Sequence, residues 1–343
     1  MFTIEYSKGL PVGYESFLIQ KYDSYMTTCR YIEVYCSSYN PHYMLVKEQG
    51  ELTDLLLFGD KGNEAICFNS NTAIDKKVME ECINELFKAC PTVQRIGIVN
   101  SYAGYKFPRS YMVSQANDYI IELPRTLDEY TSQLGSSTRK NIRNAGSKFS
   151  RDYPRAKHVV LFGNEIGKDI IRRIIELNIE RMKHKGIVPG KSEMDIELTF
   201  RLSQHYGCAA YIEIDGAIAA GNISYIMGKR IFSQVIAHDD NYSRYNLGTI
   251  CQMDIIQLAI EKKLAALHLM WGDNEYKKRL RGKPQALHSY CVHRHYNNYL
   301  VGRINALAYM VVIGIRHSKY SKPLKEAIKN YRKNKWKDEL NFL

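Results

Sequence analysis

Arg230-Ile231-Phe232-Ser233-Gln234-Val235-Ile236-Ala237 leads into the polar turn His238-Asp239-Asp240-Asn241-Tyr242-Ser243-Arg244-Tyr245-Asn246, and Leu247-Gly248-Thr249 follows. The apolar run predicts a central strand. From Thr249 to Lys263, Ile250, Met253, Ile256 and Ile260 recur at helical spacing, with Asp254 and Gln257 between them; this predicts an amphipathic helix. Ala266-Leu267-His268-Leu269-Met270 predicts the next strand. Strand, turn, helix and strand in this order are the grammar of an α/β unit. A helix that opens beside a glycine presents backbone N–H groups and the positive end of its dipole, a natural seat for a pyrophosphate or another anion. Gly248 admits close approach of a ligand, and Arg244 would add a charge-assisted contact.

Upstream, Asp215-Gly216 joins Tyr211–Ile214 to Ala217–Ile223 as a hairpin, since Asp-Gly suits the tight turn that strand twist demands. Lys168 to Lys185 carries Ile171, Ile174, Ile175, Leu177 and Ile179 as a helix, with Pro189 and Gly190 as its break, and Asp195 to Tyr206 predicts another. Thr126 and Glu129 form a capping-box pattern ahead of the basic helix Ser137 to Ala145. Lys76 to Cys90 has a helical apolar face and stops at Pro91. Tyr31–Tyr35, Asp54–Phe58, Glu64–Phe68, Arg95–Val99, Asp118–Leu123 and Val159–Phe162 read as strands, with Gly59 to Asn63 as a turn. The same mixed grammar in both halves predicts one α/β unit used twice: residues 1–160, residues 161–315, and a basic tail, 316–343. The length of 343 residues suits two domains.

The eight cysteines form no C-x-x-C pair, which favours reduced thiols in a cytoplasmic protein over a disulfide framework. The first residues, Met1 to Tyr6, lack the basic and apolar regions of a signal peptide. The strongest apolar run, Ala306 to Ile315, is about half of what a helix needs to cross a bilayer. The net charge is +12. Nine Lys and Arg face one acid, Glu326, between Arg316 and Lys337, with Tyr320, Tyr331 and Trp336 interleaved. Such a tail is either a solvated helix face or a contact for tRNA or an anionic membrane surface. His293 and His295 would share a face on one strand, but no third ligand has a credible spacing, so no metal is assigned. There is no P-loop, dinucleotide glycine fingerprint or serine nucleophile elbow.

Trp271-Gly272-Asp273-Asn274-Glu275-Tyr276-Lys277-Lys278 follows the last strand. Together with Leu247-Gly248-Thr249, Leu267-His268-Leu269 and the helix Thr138-Arg139-Lys140-Asn141-Ile142-Arg143, this run resembles the CelD-like (cellulose-biosynthesis) acetyltransferases of the GNAT superfamily, relatives of the Fem aminoacyltransferases. The resemblance spans about residues 125 to 295. Leu247 stands where those proteins usually carry proline, and no second glycine follows Gly248 to complete the acyl-CoA loop of standard GNAT enzymes.

The resemblance implies an α/β fold of tandem GNAT-like (FemAB-like) mixed sheets flanked by helices, the first degenerate. It also implies acyl transfer from acyl-CoA or acyl-carrier protein to an amino or hydroxyl group of a sugar or sugar nucleotide in cell-surface polysaccharide assembly. The Fem relatives keep an aminoacyl-tRNA donor open, and a non-catalytic binding protein of this fold is a third reading. In acyl transfer negative charge develops on the carbonyl oxygen, and a fixed cation beside it lowers the barrier; Lys277 is the candidate for that role, or for binding a phosphate on donor or acceptor. Asp273 or Glu275, with a pKa raised in a desolvated cleft, or His238 at the strand end, would serve as base. Tyr276 would protonate the leaving group. Arg139 and Arg143, four apart on one helical face, would grip an anionic acceptor.

Overall fold

The computed structural model describes residues 2–186 and 192–304. In chain order the elements are β1 (Phe2–Lys8), α1 (Glu15–Tyr22), α2 (Cys29–Tyr35), β2 (Asn40–Glu48), β3 (Glu51–Lys61), β4 (Glu64–Cys67), α3 (Lys76–Ala89) and β5 (Arg95–Ser101). There follow β6 (Ser110–Glu122), α4 (Leu127–Gln133), α5 (Ser136–Asp152), β7 (Lys157–Phe162), α6 (Lys168–His184) and α7 (Glu193–Tyr206). The last are β8 (Gly207–Ile214), β9 (Ala217–Met227), β10 (Arg230–His238), α8 (Leu247–Glu261), β11 (Ala266–Trp271), α9 (Glu275–Arg279) and β12 (Lys283–His293). The mixed α/β class expected from the sequence is what the chain adopts, with mixed sheets flanked by helices. The apolar run Ala306 to Ile315 and the basic tail lie outside the described residues, as do Pro189 and Gly190. No helix among the described residues is long and apolar enough to cross a membrane. None of the eight cysteines is in a disulfide.

The chain divides into two compact units. The first holds residues 2–12, 37–115 and 287–304 of those described. Its strands run in the order β1-β2-β3-β4-β5-β12, antiparallel except for the parallel pair β4 and β5. Leu55, Leu56, Leu57 and Phe58 in β3 are all buried, as a continuous apolar run requires when both faces of a strand are covered. Asp75 caps α3 by accepting from the N–H groups of Lys77 and Val78, and the helix buries Met79, Cys82, Ile83, Leu86 and Phe87. Residues Gly59 to Lys61, expected in a turn, instead extend β3, and only Gly62 and Asn63 turn.

The second unit holds residues 13–36 and 116–286, so residue 160, in β7, lies within it. Its strands run β6-β11-β10-β9-β8-β7, antiparallel except for β10 with β11. Alternation decides what each face meets. Cys208, Ala210 and Ile212 of β8 pack with Leu247, Cys251, Ile255 and Ile256 of α8. Ala209 faces the other way and packs with Ile171, Ile174 and Ile175 of α6. Residues Tyr31–Tyr35, expected as a strand, form helix α2. Thr28 caps it by accepting from the Tyr31 N–H at 3.1 Å, and Tyr31 stacks on Tyr35 at 5.0 Å, a contact between residues four apart that a helix provides.

Gly221 in β9 sets how closely α6 approaches, because a Cβ there would lie 2.4 Å from the Ile174 side chain. Gly221→Ala is therefore expected to lower the unfolding free energy by about 1–3 kcal/mol through overpacking. Urea unfolding checks this; an unchanged midpoint would show that Ile174 yields without cost.

Candidate functional site

Strands β10 and β11 pair at only three positions: Arg230 with Ala266, Ile231 with Leu267 and Phe232 with His268. Both strands are irregular just beyond. The register of β10 against β9 shifts between Ser233 and Val235. That of β11 against β6 shifts between His268 and Trp271, where Met270 has φ of +57°. From there the two strands part, and their backbone groups no longer satisfy one another. The Ile236 carbonyl accepts instead from Asn178 Nδ2 and Arg181 Nη2, both at 3.2 Å. The Met270 and Trp271 carbonyls accept from Lys277 Nζ, at 2.9 and 2.5 Å.

Lys277 is 2% exposed although it carries an ammonium. Burial pulls its pKa down to about 8, against the opposing pull of Asp118 and Asp273. The ammonium lies 5.6 Å from the centre of the Tyr119 ring. An ammonium has three N–H donors; two are committed to the strand carbonyls, which aim the group and leave one donor for a ligand.

Helix α8 begins at the mouth of this wedge. Asn246 precedes it in the left-handed conformation, φ 51°, and no side chain caps the helix. A cavity of about 150 Å³ lies beside the first turn of α8, lined by Thr138, Asn141, Thr249, Tyr276 and Arg279, among others, and not by Lys277 or His238. Thr249 and Tyr276, far apart in sequence, are thus brought together. Gly248 sits against His238: a Cβ there would be 3.0 Å from Nδ1. Leu247 is fully buried in the core beneath, so its side chain is a packing group and only its backbone is available to a ligand. Arg244 is exposed and lies over the Tyr245 ring, 4.8 Å from its centre.

His238 is half-buried at the end of β10, its Nε2 3.8 Å from Asp240. Burial, then the positive charge of Arg181, holds its pKa below the ordinary histidine value, so the neutral imidazole dominates at pH 7. The acids behave otherwise. Of Asp273 and Glu275, one is expected from the sequence to sit in a desolvated cleft, and Asp273 does not. It is exposed, accepts from the Tyr119 hydroxyl and lies 3.4 Å from Lys278; the Tyr119 hydrogen bond, foremost, lowers its pKa. Glu275 is exposed and pairs with Lys278 at 3.3 Å. Tyr276 is half-buried, and burial raises its pKa, which keeps its proton in place at neutral pH.

Arg139 and Arg143 lie on α5 and line an open groove with Lys140 and Asp128, on a different set of residues from the cavity by Thr249. Arg139 also donates to the Ser132 carbonyl at 2.9 Å. His293 ends β12 and is buried, whereas His295 lies beyond the strand and is exposed, so the two do not share a face. One grouping of metal-ligand types occurs among the described residues, His42, Asp60 and Cys90 in the first unit. Both ring nitrogens of His42 are already engaged, by Tyr6 and Asp60, so the cluster reads as a buried hydrogen-bond chain.

Four residues at or behind the wedge were not singled out from the sequence. Arg181 and Asn178 reach it from α6. Asp118 and His268, 0% and 1% exposed in their side chains, pair at 2.6 Å behind Lys277. The signal for the last two was present: an acid opening the apolar run of β6 and a histidine inside that of β11. Buried charged groups demand partners.

Residues 136–278 match the model of a family described as an acetyltransferase (GNAT) domain. The matched segment holds the wedge, helix α8 and Lys277, and is a GNAT-type acyltransferase domain. Among solved structures, FemX matches with a TM-score of 0.63 at 9% identity, covering 87% of this chain and 99% of that one. The C-terminal domain of a putative lysylphosphatidylglycerol synthetase from Agrobacterium fabrum gives 0.53 at 13% identity, over 87% and 94%. L-PGS from Bacillus licheniformis gives 0.53 at 10%, over 84% and 94%. At such identities the likeness is one of fold. No curated protein matches the chain.

Proposed function

We propose that the chain moves an acyl group from a thioester, acyl-CoA or acyl-carrier protein, to an amino or hydroxyl group, with the reacting carbonyl in the wedge between β10 and β11. The observation that carries this reading is the buried Lys277 ammonium, held by two strand carbonyls where the strands part. The donor enters past the uncapped start of α8, whose N–H groups and dipole favour its phosphates. The carbonyl oxygen turns toward Lys277, which stabilises the negative charge as the nucleophile adds. Neutral His238 takes the proton of the attacking amine or hydroxyl, the role for which its lowered pKa suits it better than the ion-paired Asp273 and Glu275. When the C–S bond breaks, Tyr276 gives its proton to the thiolate and regains one from solvent, to which His238 releases the proton it took. A sugar or sugar nucleotide as acceptor follows from the CelD-like resemblance, with Arg139 and Arg143 as its grip.

Calorimetric titration with a panel of acyl-CoAs is the test. Saturable one-to-one binding of a thioester supports this reading, and absence of binding by every member overturns its CoA version.

A second reading has its own support. The open groove by Arg139, Lys140 and Arg143, the net charge of +12 and the fold likeness to FemX over 87% of the chain suit an aminoacyl-tRNA donor. Phosphate contacts release counterions, so tRNA affinity is then expected to fall by about tenfold or more between 50 and 200 mM salt. A filter-binding series at several salt concentrations decides this, and affinity that ignores salt counts against it.

A further inference from the structure

We infer that Arg181 is an anion-binding residue of the wedge, and that the substrate it serves carries a carboxylate or phosphate beside the reacting centre. The assignment rests on acyl transfer taking place in the wedge, and adds a chemical class to the substrate.

Arg181 projects from α6, which Gly221 allows to lie close on the sheet. Its Nη2 donates to the Ile236 carbonyl on the stretch of β10 that has left β11, and Asn178 Nδ2 shares that acceptor. The guanidinium is thereby fixed at the wedge. Its Nε is buried and has no hydrogen-bond partner. Among the described residues no carboxylate lies within ion-pair distance of it. Asp240 is near enough to be felt, but its carboxylate is held by His184 at 2.7 Å. The other groups that face this region are His238, Lys185 and Tyr276, with Asp239 beyond.

A half-buried guanidinium lacking a carboxylate is an incomplete arrangement, because a charge taken from water is normally paired and hydrogen-bonded. The N–H groups of a guanidinium form a fixed fork that matches a carboxylate or phosphate. The Nε edge supplies the missing half of such a pair. Arg181 lies close enough to Tyr276 and His238 to interact electrostatically with both, so an anion seated on it lies beside those two groups. It enters either on the acyl group of the donor or on the acceptor.

Two matched probe pairs separate these sources: succinyl-CoA against butyryl-CoA, and glucose 1-phosphate against glucose. Calorimetry on the full-length protein is expected to show the charged member of one pair binding about tenfold more tightly or better, the scale of one charge-assisted pair. Arg181→Gln removes that preference, and circular dichroism of the variant shows whether it is folded. Arg181→Lys, which keeps the charge without the fork, retains part of it, and serves in place of the glutamine variant if that one fails to fold. Equal binding within both pairs, absence of binding by all four probes, or a preference that survives Arg181→Gln overturns the assignment. If butyryl-CoA binds but charge makes no difference, the thioester reading stands without Arg181. If only glucose 1-phosphate binds, and through Arg181, the assignment stands without the thioester.

Discussion

Lys277→Ala is expected to slow turnover of the acyl donor by about 10²- to 10³-fold, the range seen when one donor to a developing oxyanion is removed, with donor affinity within about threefold of wild type. The asymmetry follows from position. The ammonium is 2% exposed and held on the Met270 and Trp271 carbonyls, so it is aimed before substrate arrives and pays little reorganisation when charge develops. A role in ground-state binding would raise the donor dissociation constant instead. Thiol release from the donor, with water as acceptor, gives the rate without knowledge of the natural acceptor. Lys277→Met, which refills the space of the aliphatic stem, separates loss of the charge from loss of packing. Arginine is not expected to restore the rate, because a planar guanidinium does not fit two carbonyls fixed for an ammonium. A Lys277→Ala protein that is folded and keeps more than a third of the wild-type rate would remove Lys277 from the chemistry.

Asp118→Ala is expected to cost about 3 kcal/mol, the upper end for leaving a buried hydrogen-bonding group without its partner. In a domain of this size that is roughly 10 °C in melting temperature. The Asp118 and His268 side chains are 0% and 1% exposed and meet at 2.6 Å, and His268 also stacks on Phe232 at 4.4 Å. Water cannot replace the lost carboxylate there. The double variant Asp118→Ala with His268→Ala should lose less than the sum of the two single changes, since each single change strands the other partner. Thermal melts of the three proteins test this. A shift of under 2 °C for Asp118→Ala would mean that the pair is not the buried anchor it is taken to be.

Much of the fold was legible because local signals and tertiary packing agree. The apolar faces of α3 and α6 and the Asp-Gly turn between β8 and β9 each specify an element without help from distant residues. Helix α2 was misread because Tyr31-Ile32-Glu33-Val34-Tyr35 alternates by eye, while its conformation is set by the Thr28 cap and tyrosine stacking. At the site, the run from Gly272 to Lys277 pointed to Lys277, but its burial depends on how β11 ends and could not be read from neighbours. Asp273 shows the same limit. Its acidity is governed by Tyr119, 154 residues away, which lowers the pKa where a desolvated cleft would raise it. Arg181 sits between Glu180 and Met182 in a helix rich in charges, where nothing local distinguishes it from a solvated arginine.

The proposed acyl transfer requires Lys277 to act as a cation. The measurement that tests it most directly is the pH dependence of donor turnover, from pH 6 to 10, in wild type and Lys277→Ala after subtraction of the uncatalysed rate. The pKa of about 8 places the charged form below that value. Wild-type turnover should therefore fall as pH rises through about 8, and this limb should be missing in Lys277→Ala. Turnover that rises through the same range, or a falling limb that persists without Lys277, would contradict it.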